Sequence, residues 1–297
     1  MSTSTPKPMY GLTAVPATPN TLLTNKRPTQ PPSPTSVQQT PIPNTPLAQR
    51  INSYAHHHLP EETYNHSLRV YHYGQAIKAY RFPASQFPEW HFDDETYFLA
   101  CVLHDIGTTR ENLRATRLSF EFYGGLLALR VLQDVNATHS HSHAHSHAGV
   151  NAGADSDEDK VEIRTGTGIG VGASSVGGPA ATTTATNANA AAPREQAESV
   201  AEAIIRHQDL CHVGKMTAVG QLLQLATIFD NTGAYADLVH ADTIKDVCAH
   251  FPRMKWSRCF VAAVQQEIEL KPWAHSTALG EEFEQKVLGN RLMEPYE

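Results

Sequence analysis

His104 and Asp105 stand side by side at the end of an apolar run, Phe98-Leu99-Ala100-Cys101-Val102-Leu103. Charge placed there, away from water, is costly without a partner, and a shared divalent cation would satisfy both side chains. Such a cation needs three or four ligands, so further ones must come from other parts of the chain. The candidates are His66, in a stretch with helical spacing, and Asp230, at the end of the apolar stretch 220–231. His66, His104, Asp105 and Asp230 would then converge from three helices on one metal. A lone His-Asp pair arises often by chance; the ordered set His…His-Asp…Asp on helices is the stronger signal. Two His and two Asp leave room for water, which separates a catalytic site from a closed structural one. Zn²⁺ would lower the pKa of that water to about 7, and mixed His/Asp ligation suits Fe²⁺ and Mn²⁺ as well.

Other side chains can be weighed beside this set. His207 ends the stretch Glu202-Ala203-Ile204-Ile205-Arg206 and could be a fifth ligand or a general acid/base. The plainer reading is a histidine that interacts favourably with a helix C-terminus. Thr227 lies three residues before Asp230, on the same helix face, where its hydroxyl could orient a small substrate or simply fill a core position. Asn231 could cap that helix. His72 and His91 read as structural or surface residues. His56, His57 and His58 are adjacent in sequence, so they cannot all face one metal and read as a solvated helix end. Phe120, Phe122 and Tyr123, followed by two glycines, suit either an apolar pocket wall or ordinary core packing.

The elements that must position these groups are helical. Helical spacing covers 47–59 and 62–80, the second starting after Pro60 with Glu61 and Glu62 in its first turn. Asp93-Asp94 caps a third helix that runs to Asp105, and Gly107 stops it. A polar stretch, 108–117, precedes a mostly apolar helix over 118–132, and further helices are expected over 194–207, 217–231, 255–270 and 279–289. No alternating strand pattern stands out, so the class is all-α.

Two stretches do not fit that bundle. Eleven of the 19 prolines lie in the first 50 residues, which contain no Asp or Glu. Residues 1–46 are therefore expected to be a disordered Pro/Thr/Ser-rich tail. The stretch 134–193 is rich in Gly, Ala, Thr and Ser/His, with five of the 17 histidines alternating over 139–147. It reads as a disordered loop insertion with incidental metal affinity. The remainder, 47–133 and 194–297, is ample for one hydrophobic core.

Composition narrows the function classes. With 23 Lys+Arg against 30 Asp+Glu, the net charge of −7 argues against a nucleic-acid surface. No apolar run is long enough to span a membrane. The N-terminus lacks a secretory signal, and prolines 6, 8, 16 and 19 would break the amphipathic helix of a mitochondrial presequence. Cys101, Cys211, Cys248 and Cys259 show no CxxC spacing, which fits reduced thiols in the cytoplasm or nucleus. No heptad marks an interface, and a homo-oligomer stays open.

The stretches NHSLRVYHYG (65–74), FLACVLHDIGTT (98–109), LSFEFYGG (118–125), EAIIRHQDL (202–210), QLLQLATIFDN (221–231) and KPWAHST (271–277) carry a resemblance. The chain resembles the HD-domain superfamily of metal-dependent enzymes and, within it, the fungal cyanamide hydratase family. The resemblance covers about 47–132 and 194–290; the tail and the insert depart from it but lie outside the motifs. It implies an HD-type helical bundle in which His66, His104, Asp105 and Asp230 bind the metal, and an active-site role for His207. It alone suggests that Trp273 and His275 close the pocket. The implied reaction is hydration of the nitrile of cyanamide to urea by attack of a metal-bound hydroxide. For that reaction His207 is the candidate proton donor to the isourea nitrogen, and the Thr227 hydroxyl could orient the substrate or the metal-bound water.

Two other readings stay open on sequence alone. An HD-type phosphohydrolase acting on a nucleotide would need positive charge near the phosphate; Arg69 and Arg206 could supply it if their guanidinium groups point into the metal pocket. A metal-buffering protein that works through the His-rich insert predicts that loss of 134–193 abolishes the main activity.

Overall fold

The computed structural model describes residues 9–24, 28–134, 190–210 and 213–297. Among them the chain forms eleven helices: α1 (Pro19–Thr24), α2 (Pro46–His58), α3 (Glu61–Arg81), α4 (Asp94–Leu103), α5 (Arg110–Ala115), α6 (Phe120–Gln133), α7 (Arg194–Arg206), α8 (Ala218–Thr232), α9 (Ala241–His250), α10 (Trp256–Leu270) and α11 (Phe283–Leu288). The all-α class holds, and each helix expected from spacing is present within a few residues. Helix α1, inside the expected tail, α5, inside the polar stretch 108–117, and α9 were not expected.

Helix α3 is the axis of the molecule and packs against α4 and α8, while α6 lies along α7. Every residue of α3 from Asn65 to Ile77 is buried, so its polar side chains need partners inside the protein. His66 and Arg69 meet Asp230, His72 meets Thr40, and Gln75 donates to the Tyr71 hydroxyl. Gly74 lets α4 approach: a Cβ there would lie 1.7 Å from the Tyr97 hydroxyl oxygen. Asp93 caps α4 by accepting from the Thr96 amide at 2.6 Å. The helix ends at Leu103, and a 3-10 turn, Ile106–Thr108, follows the His-Asp pair. A Cβ on Gly107 would come within 2.1 Å of the Phe120 carbonyl oxygen, so only glycine lets this turn lie against the start of α6. Thr217 caps α8 and Gly233, at φ 68°, closes it. Asn231 is no cap; its Oδ1 accepts from Trp256 Nε1 at 2.8 Å.

The tail differs from expectation over residues 9–24 and 28–46, which lie against the domain. Strand β1 (Ala14–Pro16) pairs antiparallel with β2 (Lys215–Thr217), in register Val15 to Met216. This single two-stranded ribbon is the strand structure that the pattern did not reveal. Val15, Ala17 and Leu22 are buried, and Ser199 Oγ donates to the Tyr10 carbonyl at 2.6 Å. Further along, the Thr35 amide donates to Thr243 Oγ1 at 2.7 Å and the Val37 amide to Asp246 Oδ2 at 2.8 Å. A segment too poor in apolar residues to build a core can still dock a few of them on a core built by others. Residues 1–8 and 25–27 lie outside the described residues.

So does 135–189, the bulk of the expected insert, with its alternating histidines; Cys211 is also outside. The two ends of that insert are described, and they are held together. Arg50 donates to the carbonyls of Val131 at 2.8 Å, Leu132 at 3.1 Å and Ala190 at 3.4 Å, and the Ala192 amide donates to the Leu132 carbonyl at 2.9 Å. Cys101, Cys248 and Cys259 are free thiols. No helix among the described residues is long and apolar enough to cross a membrane.

Candidate metal centre

Three helix positions bring His66, His104 and Asp105 together in the interior. His66 sits in the second turn of α3, and His104 and Asp105 follow the last turn of α4. His104 Nε2 lies 3.2 Å from His66 Nε2 and 3.2 Å from Asp105 Oδ2, and His66 Nε2 lies 3.7 Å from that oxygen. Donors about 2.1 Å from a tetrahedral cation sit about 3.4 Å apart, so these separations fit one shared ion. All three side chains are buried, and neither oxygen of Asp105 receives a hydrogen bond. A buried carboxylate without a partner is a strong demand for positive charge. The donor set therefore fits a divalent metal.

Each ring is aimed by its other nitrogen. His104 Nδ1 is 2.7 Å from the Cys101 carbonyl oxygen, which can only accept, so Nδ1 carries the proton and Nε2 is free toward the site. His66 Nδ1 likewise donates to Asp230 Oδ2 at 2.6 Å, and Trp256 stacks on the His66 ring with centroids 4.1 Å apart. Burial, outweighing the pull of Asp230, brings the His66 pKa down to about 4. Burial alone would raise the Asp105 carboxyl, but His104, His66 and His207 outweigh it and hold it below the ordinary carboxylate range. Burial also opposes charge on His104, yet Asp105 overcomes it and raises the ring.

Asp230 stands apart from the expected ligand set. Its carboxylate is on the Nδ1 side of His66, away from His104 and Asp105, and both oxygens are taken. Arg69 Nε donates to Oδ1 at 3.1 Å and Nη2 to Oδ2 at 3.0 Å, while Arg253 Nη1 donates to Oδ1 at 2.7 Å. Burial raises this carboxyl, but Arg69, Arg253 and His66 hold it well below its ordinary value. In this geometry Asp230 accepts from the His66 ring, a contact that outer carboxylates make in many metal sites.

His207 enters from the end of α7. Its Nδ1 donates to the Ile204 carbonyl at 2.6 Å, and its Nε2 lies 3.9 Å from Asp105 Oδ1. Burial and His104 lower its pKa. Phe120, buried, sets its ring 5.9 Å from the His207 ring, whereas Phe122 is at the surface and stacks on His275. Thr227 is on α8 as expected, but its hydroxyl donates to the Gln224 carbonyl at 2.9 Å rather than to a site side chain. His72 is structural, hydrogen-bonded to Thr40 at 2.6 Å; His91, His56 and His57 are exposed.

Arg69 and Arg206 do not offer their charge to the centre. Arg69 divides its donors between Asp230 and the carbonyls of Phe251 and Pro252. Arg206 Nε donates to Asp209 at 2.8 Å and Nη1 to the Lys215 carbonyl at 3.0 Å. The partner that spacing could not reveal is Arg253. It lies in a turn where Met254 and Lys255 take left-handed φ of 53° and 63°, so that Arg253 reaches Asp230 and Trp256 reaches His66.

The C-terminal segment lies over the start of α6. Trp273 Nε1 donates to the Arg117 carbonyl at 3.1 Å, and His275 Nδ1 to Glu121 Oε1 at 2.6 Å. Buried Lys271 and Glu267 pair at 3.2 Å beneath it. The hydrogen bond to Glu121, with Asp209 and Glu267 also nearby, raises the His275 pKa against its burial. A raised folded-state pKa stabilises fully below the unfolded value of about 6.5 and loses that stabilisation as pH rises through the folded value. The melting-temperature gap between wild type and His275→Gln is therefore expected to narrow from about pH 6 to about pH 9. A gap that stays constant would mean that the ring binds Glu121 uncharged.

The HD domain family matches residues 63–232, from α3 through α8, a span that carries His66, Arg69, His104, Asp105, Phe120, His207, Thr227 and Asp230; Arg253, Trp256 and the C-terminal segment lie beyond it. Among proteins of known name, the chain is similar to the cyanamide hydratases DDI2 and DDI3 of Saccharomyces cerevisiae (strain ATCC 204508 / S288c). It is 35% identical to each over 250 residues, covering 84% of this chain and 85% of the relative. A match to the HD domain family over more than half of the chain and 35% identity over most of both chains lead to one conclusion: this enzyme belongs to the cyanamide hydratase family of HD-domain proteins.

Proposed function

We propose that the protein hydrates the nitrile of cyanamide to give urea, at a single divalent metal held by His66, His104 and Asp105. The observation that carries this reading is the pair of buried, unpartnered Asp105 oxygens beside two histidine Nε2 atoms, with His207 across from them. When bound, the cation supplies Lewis acidity that brings the pKa of a water to about 7; zinc suits the donor set, as do iron and manganese.

The chain's own residues do the rest. Asp230 keeps the His66 Nε2 lone pair turned inward, and Arg69 and Arg253 keep Asp230 ionised. His207, with Nδ1 committed to Ile204, presents Nε2 as a base in its neutral form. It takes a proton from the water whose oxygen bonds to the nitrile carbon. The displaced π electrons go to the nitrile nitrogen, and Nε2 returns the proton there. The resulting isourea tautomerises to urea. Phe120 shields that side from solvent. Thr227, with its proton on Gln224, has only an acceptor to offer a substrate.

A phosphohydrolase finds less support. The two arginines that could meet a phosphate are committed to Asp230, Asp209 and backbone carbonyls. The metal-buffering reading is tested by replacing 135–189 with a short Gly-Ser linker. Cyanamide turnover per bound metal is expected to stay within about twofold of wild type, since Arg50 already holds the two flanking ends together; loss of turnover would favour that reading instead. The primary test is urea formation from cyanamide by purified protein, with metal counted per chain. A metal-loaded protein that forms no urea would retain the site and lose the substrate.

A further inference from the structure

The first turn of α6 carries a carboxylate that the metal centre does not use. Glu121 is fully buried. Its Oε1 is 2.6 Å from His275 Nδ1, while Oε2 is buried without any hydrogen-bond partner. Folded proteins rarely leave a buried acceptor unmet, and the exceptions call for a ligand or a functional reason.

The surroundings of α6 tell where this oxygen lies. Residues three and four further along a helix share its face. Gly124 faces Gly107 and Ile204, and Gly125 faces Ile205 and Ala201. Glu121 is thus on the face turned toward the loop after Asp105 and toward the end of α7, where His207 stands. The preceding side chain, Phe120, borders His207. His275, pinned to Oε1, reaches with Nε2 to within 3.5 Å of Asp209 Oδ1, two residues past His207. One oxygen of Glu121 is fixed by the C-terminal segment, and the other is left for something that donates.

We infer that Glu121 is a specificity-determining residue whose Oε2 accepts a hydrogen bond from the amino group of the substrate. The inference rests on the cyanamide reading and says which part of that molecule the protein recognises. Cyanamide, H₂N–C≡N, differs from an alkyl nitrile by carrying N–H donors at the end away from the reacting nitrogen. An alkyl nitrile would leave Oε2 unmet, and a phosphate ester would bring negative charge against it. The amino group keeps its N–H bonds through isourea to urea. The contact therefore serves ground state and transition state alike, and its loss raises KM more than it lowers kcat.

The test compares metal-loaded wild type and Glu121→Gln on cyanamide and on N,N-dimethylcyanamide, which lacks N–H. A site built around a hydrogen bond rejects the analogue without it strongly, so wild type is expected to favour cyanamide by at least about 100-fold in kcat/KM. The variant should lose about 100-fold on cyanamide, mostly through KM, and little on the dimethyl compound, with metal content unchanged. An equal loss on both substrates, or no loss on cyanamide, overturns the role. If the variant does not fold, wild type on cyanamide, N-methylcyanamide and N,N-dimethylcyanamide decides. A steep fall only when the last N–H goes supports the contact, and an even decline with each methyl overturns it. Wild type that turns over no cyanamide removes the parent reading, an outcome distinct from an active wild type with an indifferent variant.

Discussion

His104→Ala is expected to leave a folded protein that carries no metal and forms no urea. His104 Nε2 is the one atom 3.2 Å from both of the other proposed donors, so its loss opens the set from three ligands to two. Changes in the outer shell of a metal site cost about 10–100-fold, and loss of a ligand should exceed about 10³-fold in turnover. Metal content should fall from about one per chain to background, measured on the same preparation. The helical circular dichroism should persist, because α4 is fixed by its own buried face, Thr96–Leu103, and not by the ring that follows it. Urea formation near the wild-type rate by metal-free His104→Ala would end the metal-centred account altogether.

Arg253→Ala is expected to be the most damaging substitution outside the metal donors. Arg253 is fully buried, and its Nη1 bonds to both the side chain and the backbone carbonyl of Asp230. Removing one partner of a buried ion pair costs about 3–5 kcal/mol, and because Arg69 stays on Asp230 the loss here should lie at the lower end of that range. At about 2–4 °C per kcal/mol for a chain of this size, the melting temperature should drop by about 10 °C. Asp230 is also the acceptor that holds His66, so metal affinity should weaken by about 10–100-fold. Adding Asp230→Asn removes the acceptor that Arg253 shares with Arg69, so the double variant should lose less stability than the two single losses combined. Strict additivity would mean that the two residues do not act as a unit.

The helical bundle was legible in the sequence because its helices bury apolar residues at regular spacing and carry recognisable ends. Asp93, Thr217 and Gly233 sit where capping chemistry places them. The buried cluster of His66, His104 and Asp105 was legible because an acid beside a histidine at the end of an apolar run is costly to bury unless a cation joins them. What escaped depends on contacts distant in sequence. The docked tail uses three buried apolar side chains and backbone hydrogen bonds, neither of which shows in a composition average. Asp230 was found as a residue, but its engagement by Arg69 and Arg253 could not be seen, since nothing in the spacing links 230 to 253. Glu121 carries no signal in the sequence, and only its burial with one oxygen unmet sets it apart.

The clasp that Arg50 forms across Val131, Leu132 and Ala190 has a bearing on how this gene can change. The ends of the segment between α6 and α7 are fixed to each other by the domain itself, so whatever chain joins them begins and returns at one point. Ring closure then depends on length only logarithmically, and each doubling adds about 0.6 kcal/mol. Insertions and contractions at this point are nearly neutral for folding, and selection on the catalytic core does not restrain them. The same closed gap is a ready socket for engineering: a reporter domain whose termini lie close together could be spliced in between residues 134 and 190 while the enzyme keeps its architecture.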